Sequence, residues 1–242
     1  MKLKLIGCEV FFRHICLAAA RSPHTVDLEF TTLNSHVSPE TLRVRIQERI
    51  DAAGPDYDAV LLGYGLCGNS TAGLRAGRSP LVIPRAHDCC TLFLGSRKKF
   101  LEYFGKNLSA QWSTDGYMER GGNDYLRETE VGKQLGIDGG YGELVEKYGE
   151  ENAAYIWETL HPEKDFGELT FITIPGESDP KYLEAFRAQT GEKGGKLRTV
   201  EGDLRLIDHL LNGKWDEEDF LTVPPGKAIC AVYDHDRVVC AE

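Results

Sequence analysis

Cys67 stands among glycines in Gly63-Tyr64-Gly65-Leu66-Cys67-Gly68-Asn69, and further on His87, Asp88, Cys89 and Cys90 follow one another without a break. Thiolate and imidazole are ligands that zinc accepts in tetrahedral geometry, and a catalytic zinc site keeps three protein ligands and one open position. Cys8, Cys67, His87 and one of Cys89 and Cys90 supply such a set. Neighbours on a helix point about 100° apart, so only one of Cys89 and Cys90 is expected to face a shared ion. The sulfurs of Cys8, Cys67 and Cys89 or Cys90 should then converge to within roughly 4 Å. An iron–sulfur cluster would use the same ligand type, although the chain carries no regular Cys-x-x-Cys series. Asp88 is expected to cap the helix that follows it, or else to orient His87.

Cys67 also supports a second chemistry. A nucleophile on a sharp turn between a strand and a helix gains backbone N–H donors and a lowered thiol pKa. For the site as a whole Cys67, His87 and Asp88 are the catalytic candidates, and Gly65, Gly68, Asn69, Trp112 and Tyr117 the residues expected to contact a bound group. Glycine normally stands two positions after such a nucleophile, where this chain has Asn69. A base would have to come from His161, His209 or His235. The letters at 63–68 fit Gly-x-Gly-x-x-Gly, but Pro80-Leu81-Val82-Ile83 occupies the place of the acidic residue that reads a ribose, so a dinucleotide fold is not expected. Cys16, Cys230 and Cys240 read as small buried hydrophobes.

The positioning elements follow from periodicity. Residues 2–7, 26–30, 59–62 and 81–83 read as strands, with helices over 9–20 and from Ser38-Pro39 to Ala53-Gly54. A short glycine-rich helix is expected between the third and fourth strands, and one helix from Cys90 to Phe104. This alternation predicts an α/β fold, three-layered, with a mostly parallel sheet and helices on both faces. Ligands of such sheets bind beyond the carboxyl ends of the strands, and Cys8, Cys67 and the 87–90 cluster all fall there.

Residues 105–165 interrupt the rhythm as an insertion within a single domain of residues 1–242. An edge strand at 108–112, a turn at 113–117 and a helix over 142–160 are expected inside it. The glycine-flanked part, 105–141, reads as a lid bringing Trp112, Tyr117 or Tyr125 over a ligand. The rhythm resumes from 166 with strands at 169–174 and 197–200, each followed by a helix. Strands at 220–223 and 228–233 close the chain, the latter hairpinned with Val238-Val239. The blocks 1–104 and 166–242 form either two Rossmann-like halves of one sheet or two lobes.

The chain has 242 residues and a net charge of −10, and no basic cluster emerges, which argues against a nucleic-acid partner. No apolar stretch reaches the roughly 20 residues a membrane span needs, and Met1-Lys2-Lys4 does not open a secretory leader. Seven cysteines, an odd number in a chain of ordinary size, argue against a disulfide framework and for reduced thiols in a cytoplasm.

Cys8 after the first strand, GYGLCGN at 63–69, PRAHDC at 84–89, LGS at 94–96 and STDG at 113–116 together resemble the domain-of-unknown-function family sixteen thirty-eight. That family occurs mainly in archaea and anaerobic bacteria, often beside genes for corrinoid-dependent methyltransferases. The resemblance implies that Cys8, Cys67, His87 and Cys89 are the residues to carry over. It points to corrinoid-linked one-carbon metabolism, with a small-molecule substrate such as a thiol and a corrinoid protein as partner. The expected function is therefore a zinc-thiolate methyltransferase or accessory factor. A Cys67 acyl or amide transferase and a non-enzymatic metal or corrinoid carrier are the alternatives.

Overall fold

In the computed structural model the strands that carry the reactive groups lie side by side. The structure describes residues 1–33, 38–106, 110–121, 142, 145–146, 149–150, 152–153, 168–192, 194–232, 234 and 237–242. Strands β1 (Lys2–Cys8), β2 (Thr25–Thr31), β3 (Ala59–Gly63) and β4 (Leu81–Pro84) pair in parallel in the order β2-β1-β3-β4. Every residue of β3 and β4 is buried, which is why both read as unbroken apolar runs and not as alternating ones. At the edge, β2 alternates and uses its polar face, where Glu29 pairs with Lys4 at 2.7 Å and Arg49 at 3.0 Å.

Two helices frame this sheet early in the chain. Helix α1 (Phe12–Arg21) continues from a single 3-10 turn at Glu9–Phe11, directly after Cys8. Helix α2 (Pro39–Ala52) starts as its Ser-Pro signature predicts, with Ser38 Oγ accepting from the Thr41 amide at 3.1 Å. It buries Leu42, Ile46 and Ile50, four residues apart on one face.

Helix α3 (Cys89–Leu94) and helix α4 (Arg97–Phe104) replace the single expected helix. Gly95 ends α3 in the left-handed region (φ 77°), and a Cβ there would stand 2.5 Å from the Asp203 carbonyl oxygen. Only glycine fits that break, and Ser96 then caps α4. No helix forms between β3 and β4. Residues 64–80 run as turns instead.

A second parallel sheet, β5-β6-β7, joins Trp112–Thr114 to Glu168–Thr173 and Lys196–Glu201. The edge strand expected at 108–112 thus lies later, and the expected turn at 113–117 is the end of β5 followed by helix α5 (Asp115–Glu119). Helix α6 (Pro180–Glu192) links β6 to β7, and α7 (Arg205–Leu211) follows β7. Ile172, Ile174 and Val200 share one buried cluster with the strands of the first sheet.

Strand β8 (Phe220–Val223) returns to the first sheet, antiparallel to β4. The expected terminal hairpin forms from β9 (Ile229–Ala231) and β10 (Val239–Ala241). Cys230 and Cys240 oppose each other there, Cα atoms 5.1 Å apart, and are joined by a disulfide. This corrects the reading of Cys230 and Cys240 as small buried, reduced cysteines: both are partly buried and paired, because an odd count speaks against a framework of bridges and not against one cross-strand pair. The expected helix over 142–160 lies mostly outside the described residues, as does Tyr125. Among the described residues no helix is long and apolar enough to cross a membrane.

Candidate functional site

The carboxyl ends of β1, β3 and β4 bring their following residues to one rim. Cys8 is the last residue of β1. The loop after β3 lies on the loop after β4 through two backbone bonds, Leu66 N–H to Ala86 O and Cys67 N–H to His87 O, both 2.8 Å. A Cβ on Gly65 would meet the Ala86 oxygen and the Asp88 nitrogen at 2.8 Å, so this glycine is required by the close approach of the two loops.

Past that contact the chain turns sharply. Cys67, Gly68 and Asn69 all adopt positive φ (48°, 62° and 68°). Such conformations are strained for residues with a side chain and persist only where surroundings enforce them. Here the Cys67 carbonyl accepts from Ser70 Oγ at 2.7 Å, and Arg43 donates to the Asn69 carbonyl at 2.7 Å.

The outcome is a sulfur pair, with Cys67 Sγ 3.8 Å from Cys89 Sγ. Two thiolates each about 2.3 Å from a tetrahedral zinc stand ~3.8 Å apart, so the pair already has ligand spacing. Cys89 is the member of the adjacent pair that faces Cys67. Its thiol is held well above the ordinary range, first by the hydrogen bond with Cys67, then by burial. Cys90 is fully buried, and burial, then the charge of Asp88, holds its thiol well above the ordinary range.

Cys8 lies close enough for the charge of Cys67 to reach it and for its own charge to reach Cys89. Burial pushes its thiol up to about 12. Tyr64 packs beneath the same sulfurs, fully buried, with its hydroxyl 2.7 Å from Thr31 Oγ1. Sequence reasoning passed over Tyr64, although a polar aromatic directly after an all-apolar strand is the kind of residue that needs a buried partner.

The full convergence expected of Cys8 is not present. Among the described residues, the set of His, Cys, Asp or Glu ligand atoms that all lie within 4.8 Å of one another is His209, Asp216 and Asp219. Cys8 therefore stands beyond that distance from at least one of the paired sulfurs. His87 likewise does not complete a compact triad with them. Its ring instead lies 6.4 Å from that of Phe100 on α4. The reason is local, since Cys8 ends a strand whose direction the parallel register fixes, while Cys67 reaches forward on its strained turn.

Asp88 settles into the capping role, its Oδ1 accepting from the Thr91 amide at 3.1 Å and from Thr91 Oγ1 at 3.3 Å. Trp112 packs against Phe93 of α3 at 6.2 Å between ring centroids, and Tyr117 stands edge-on to Trp112 at 5.1 Å. Both residues are only partly buried, but they belong to elements of the second sheet that pack on the main core. The described start of the expected lid is thus a packed strand and helix. The nucleophile elbow lacks its helix, because turns follow Cys67. His209 sits with Asp216 and Asp219, and His161 and His235 lie outside the described residues.

A cleft of about 270 Å³, unforeseen from the sequence, opens immediately beyond Cys8. Glu9 and Val10 line it with His14, Asp115, Glu177 and Tyr182. His14 is buried, with Nδ1 2.7 Å from Glu177 Oε2. Asp115 accepts from the Asp179 amide at 2.8 Å, and burial pushes its carboxyl up. No motif could have marked residues so far apart in the chain.

The shift at Cys8 has a consequence for stability. The folded chain keeps a proton on Cys8 up to about pH 12, whereas the unfolded thiol releases it near 9. Between these values the folded state binds more protons, so stability falls as pH rises, by at most about 1.4 kcal/mol per pH unit. Urea unfolding midpoints at mildly and strongly alkaline pH should show this slope together with those of Cys89 and Cys90, whose thiols are also raised, and Cys8→Ala should remove one thiol's share of it. An unchanged slope in Cys8→Ala would remove the thiol as its source.

Residues 30–211 match the model of a family described as protein of unknown function (DUF1638). No curated protein and no solved structure matches the chain.

Proposed function

We propose that this chain, which belongs to the DUF1638 family of proteins of unknown function, is a thiolate metal protein that holds zinc through Cys67 and Cys89. Cys8 and His87, which do not form a compact ligand set with that pair in this structure, would have to draw in to complete the site. The observation that carries this reading is the 3.8 Å spacing of the two sulfurs at the end of adjacent parallel strands. Strain at Cys67 supports it, because non-glycine residues held at such angles (φ 48°) cluster at functional sites.

A zinc ion bound there would hold a substrate thiol as its thiolate, the form in which sulfur accepts a methyl group. The chain's own part is the rest. Cys8 and Cys89, kept protonated by burial and by their neighbours, would have to release those protons to serve as ligands. The strained turn and the Gly65 contact hold Cys67 opposite Cys89. The cleft beyond Cys8 would receive a small substrate, with the His14–Glu177 pair available to hold or move a proton at Nδ1. The corrinoid link of this methyl-transfer reading rests on the family resemblance alone.

The test is metal analysis of protein purified without oxygen and without chelator. About one zinc per chain is expected. Metal-free protein would end the reading, and iron with acid-labile sulfide would replace it with a cluster.

A further inference from the structure

The loop that places Cys89 also builds a second feature. A cleft of about 580 Å³ is lined by Arg85, Arg97 and Arg237, with Glu217 and Glu218 among its other walls. The three arginines come from three elements: the β4–α3 loop, the first turn of α4 and the β9–β10 hairpin. In a chain of net charge −10, such a gathering is unusual.

Arg85 is a structural anchor. Its Nε donates to the Glu217 and Phe220 carbonyls at 2.9 and 3.2 Å, and its Nη1 to those of Arg237 and Val239 at 2.9 and 2.6 Å. Those bonds tie the hairpin to the loop and leave Nη2 unused. Arg97 makes no hydrogen bond or ion pair among the described residues, and its Nη1 is buried without a partner. Among the described residues Arg237 makes no ion pair either, so the two glutamates of the cleft neutralise none of the three within bonding distance. Burial, then the charges of Arg97 and Arg237, push the Arg85 guanidinium down, and Glu217 opposes this less strongly. Like charges this close are unfavourable unless an anion sits between them.

We infer that the cleft of Arg85, Arg97 and Arg237 is a binding site for a small oxyanion, the phosphate or carboxylate group of a metabolite. Guanidinium forks match both groups in bidentate geometry. Arg97 also stands at the first turn of α4, where the helix end favours negative charge. The site is separate from the sulfur pair but shares its scaffold, since Arg85 and Cys89 lie on one loop.

Calorimetric titration of the intact chain with inorganic phosphate, pyrophosphate and succinate at low salt tests it. Arg85 is left alone, because its four carbonyl bonds make its variants prone to misfold. Saturable binding of at least one anion is expected, weakened about tenfold or more by Arg97→Gln and by Arg237→Gln. A preference for the phosphates assigns a phosphorylated ligand, and a preference for succinate assigns a carboxylate. Zinc content measured on the same samples should not change, which separates this site from the sulfur pair. No saturable binding of any of the three anions, or equal binding in both variants, overturns the inference.

Discussion

Cys67→Ser and Cys89→Ser should each lose nearly all bound zinc, with affinity reduced by about a hundredfold or more. Removing only a residue that orients a ligand typically costs about 10–100-fold, so losing the ligand itself should reach at least the upper end. Serine keeps the size of the side chain, and a half-exposed Cys67 leaves little buried polarity behind, so circular dichroism should stay native for that variant. Cys90→Ser is the contrast. Its thiol is fully buried and the contact with Cys67 is made by Cys89, so zinc should be retained while a buried hydroxyl costs about 1–3 kcal/mol of stability. Elemental analysis and urea unfolding on the same three samples decide the matter. Zinc lost from the Cys90 variant and kept in the Cys89 variant would exchange the roles of the two residues. Zinc kept in both Cys67→Ser and Cys89→Ser would mean the 3.8 Å contact is simply two packed thiols.

The parallel strands were readable because β3 and β4 are buried on both faces and so are written as continuous apolar runs. Placing Cys8, Cys67 and the 87–90 cluster on one rim followed from the same rule and needed no side-chain detail. What the pattern could not convey was distance within the rim. Whether Cys8 reaches the pair depends on how far each loop travels after its strand, and Cys67 travels through left-handed residues that no periodicity encodes. Choosing Cys89 over Cys90 likewise depended on the rotation of α3, which Asp88 sets as its cap. In the second sheet β6 and β7 were readable, and β5 was placed too early because it is a three-residue strand whose partner lies more than fifty positions away, joined across residues with weak patterning. The arginine cleft was invisible for a related reason. Arg85, Arg97 and Arg237 are ordinary surface residues in sequence, and only the return of the terminal hairpin brings the third beside the others.

If the loop contact at Gly65 is what holds the sulfurs together, a single methyl group there should undo the site without touching a ligand. In Gly65→Ala the new Cβ would stand 2.8 Å from the Ala86 carbonyl oxygen and the Asp88 nitrogen, and 2.9 Å from the Asp88 Cα. All three are backbone atoms, which cannot rotate aside as a side chain can. The two loops must separate, and with them go the bonds from Leu66 and Cys67 to the Ala86 and His87 carbonyls. Overpacking of this kind costs about 1–3 kcal/mol, and two buried backbone bonds lost with it bring the expected destabilisation to roughly 2–4 kcal/mol. Zinc binding should fall with it, since Cys67 would move away from Cys89. Gly68→Ala isolates the other possible cause. That glycine also sits on the turn at φ 62°, yet a Cβ there meets nothing within 4 Å. It should cost only the left-handed strain, about 1–2 kcal/mol, and keep zinc. Urea midpoints measured with chelator, beside zinc content measured without it, separate the two variants. Should Gly65→Ala match the parent chain in both, the loops are not docked through this contact and the sulfur spacing must be set elsewhere. Should both variants lose zinc equally, the turn conformation and not the docking is what presents Cys67 to Cys89.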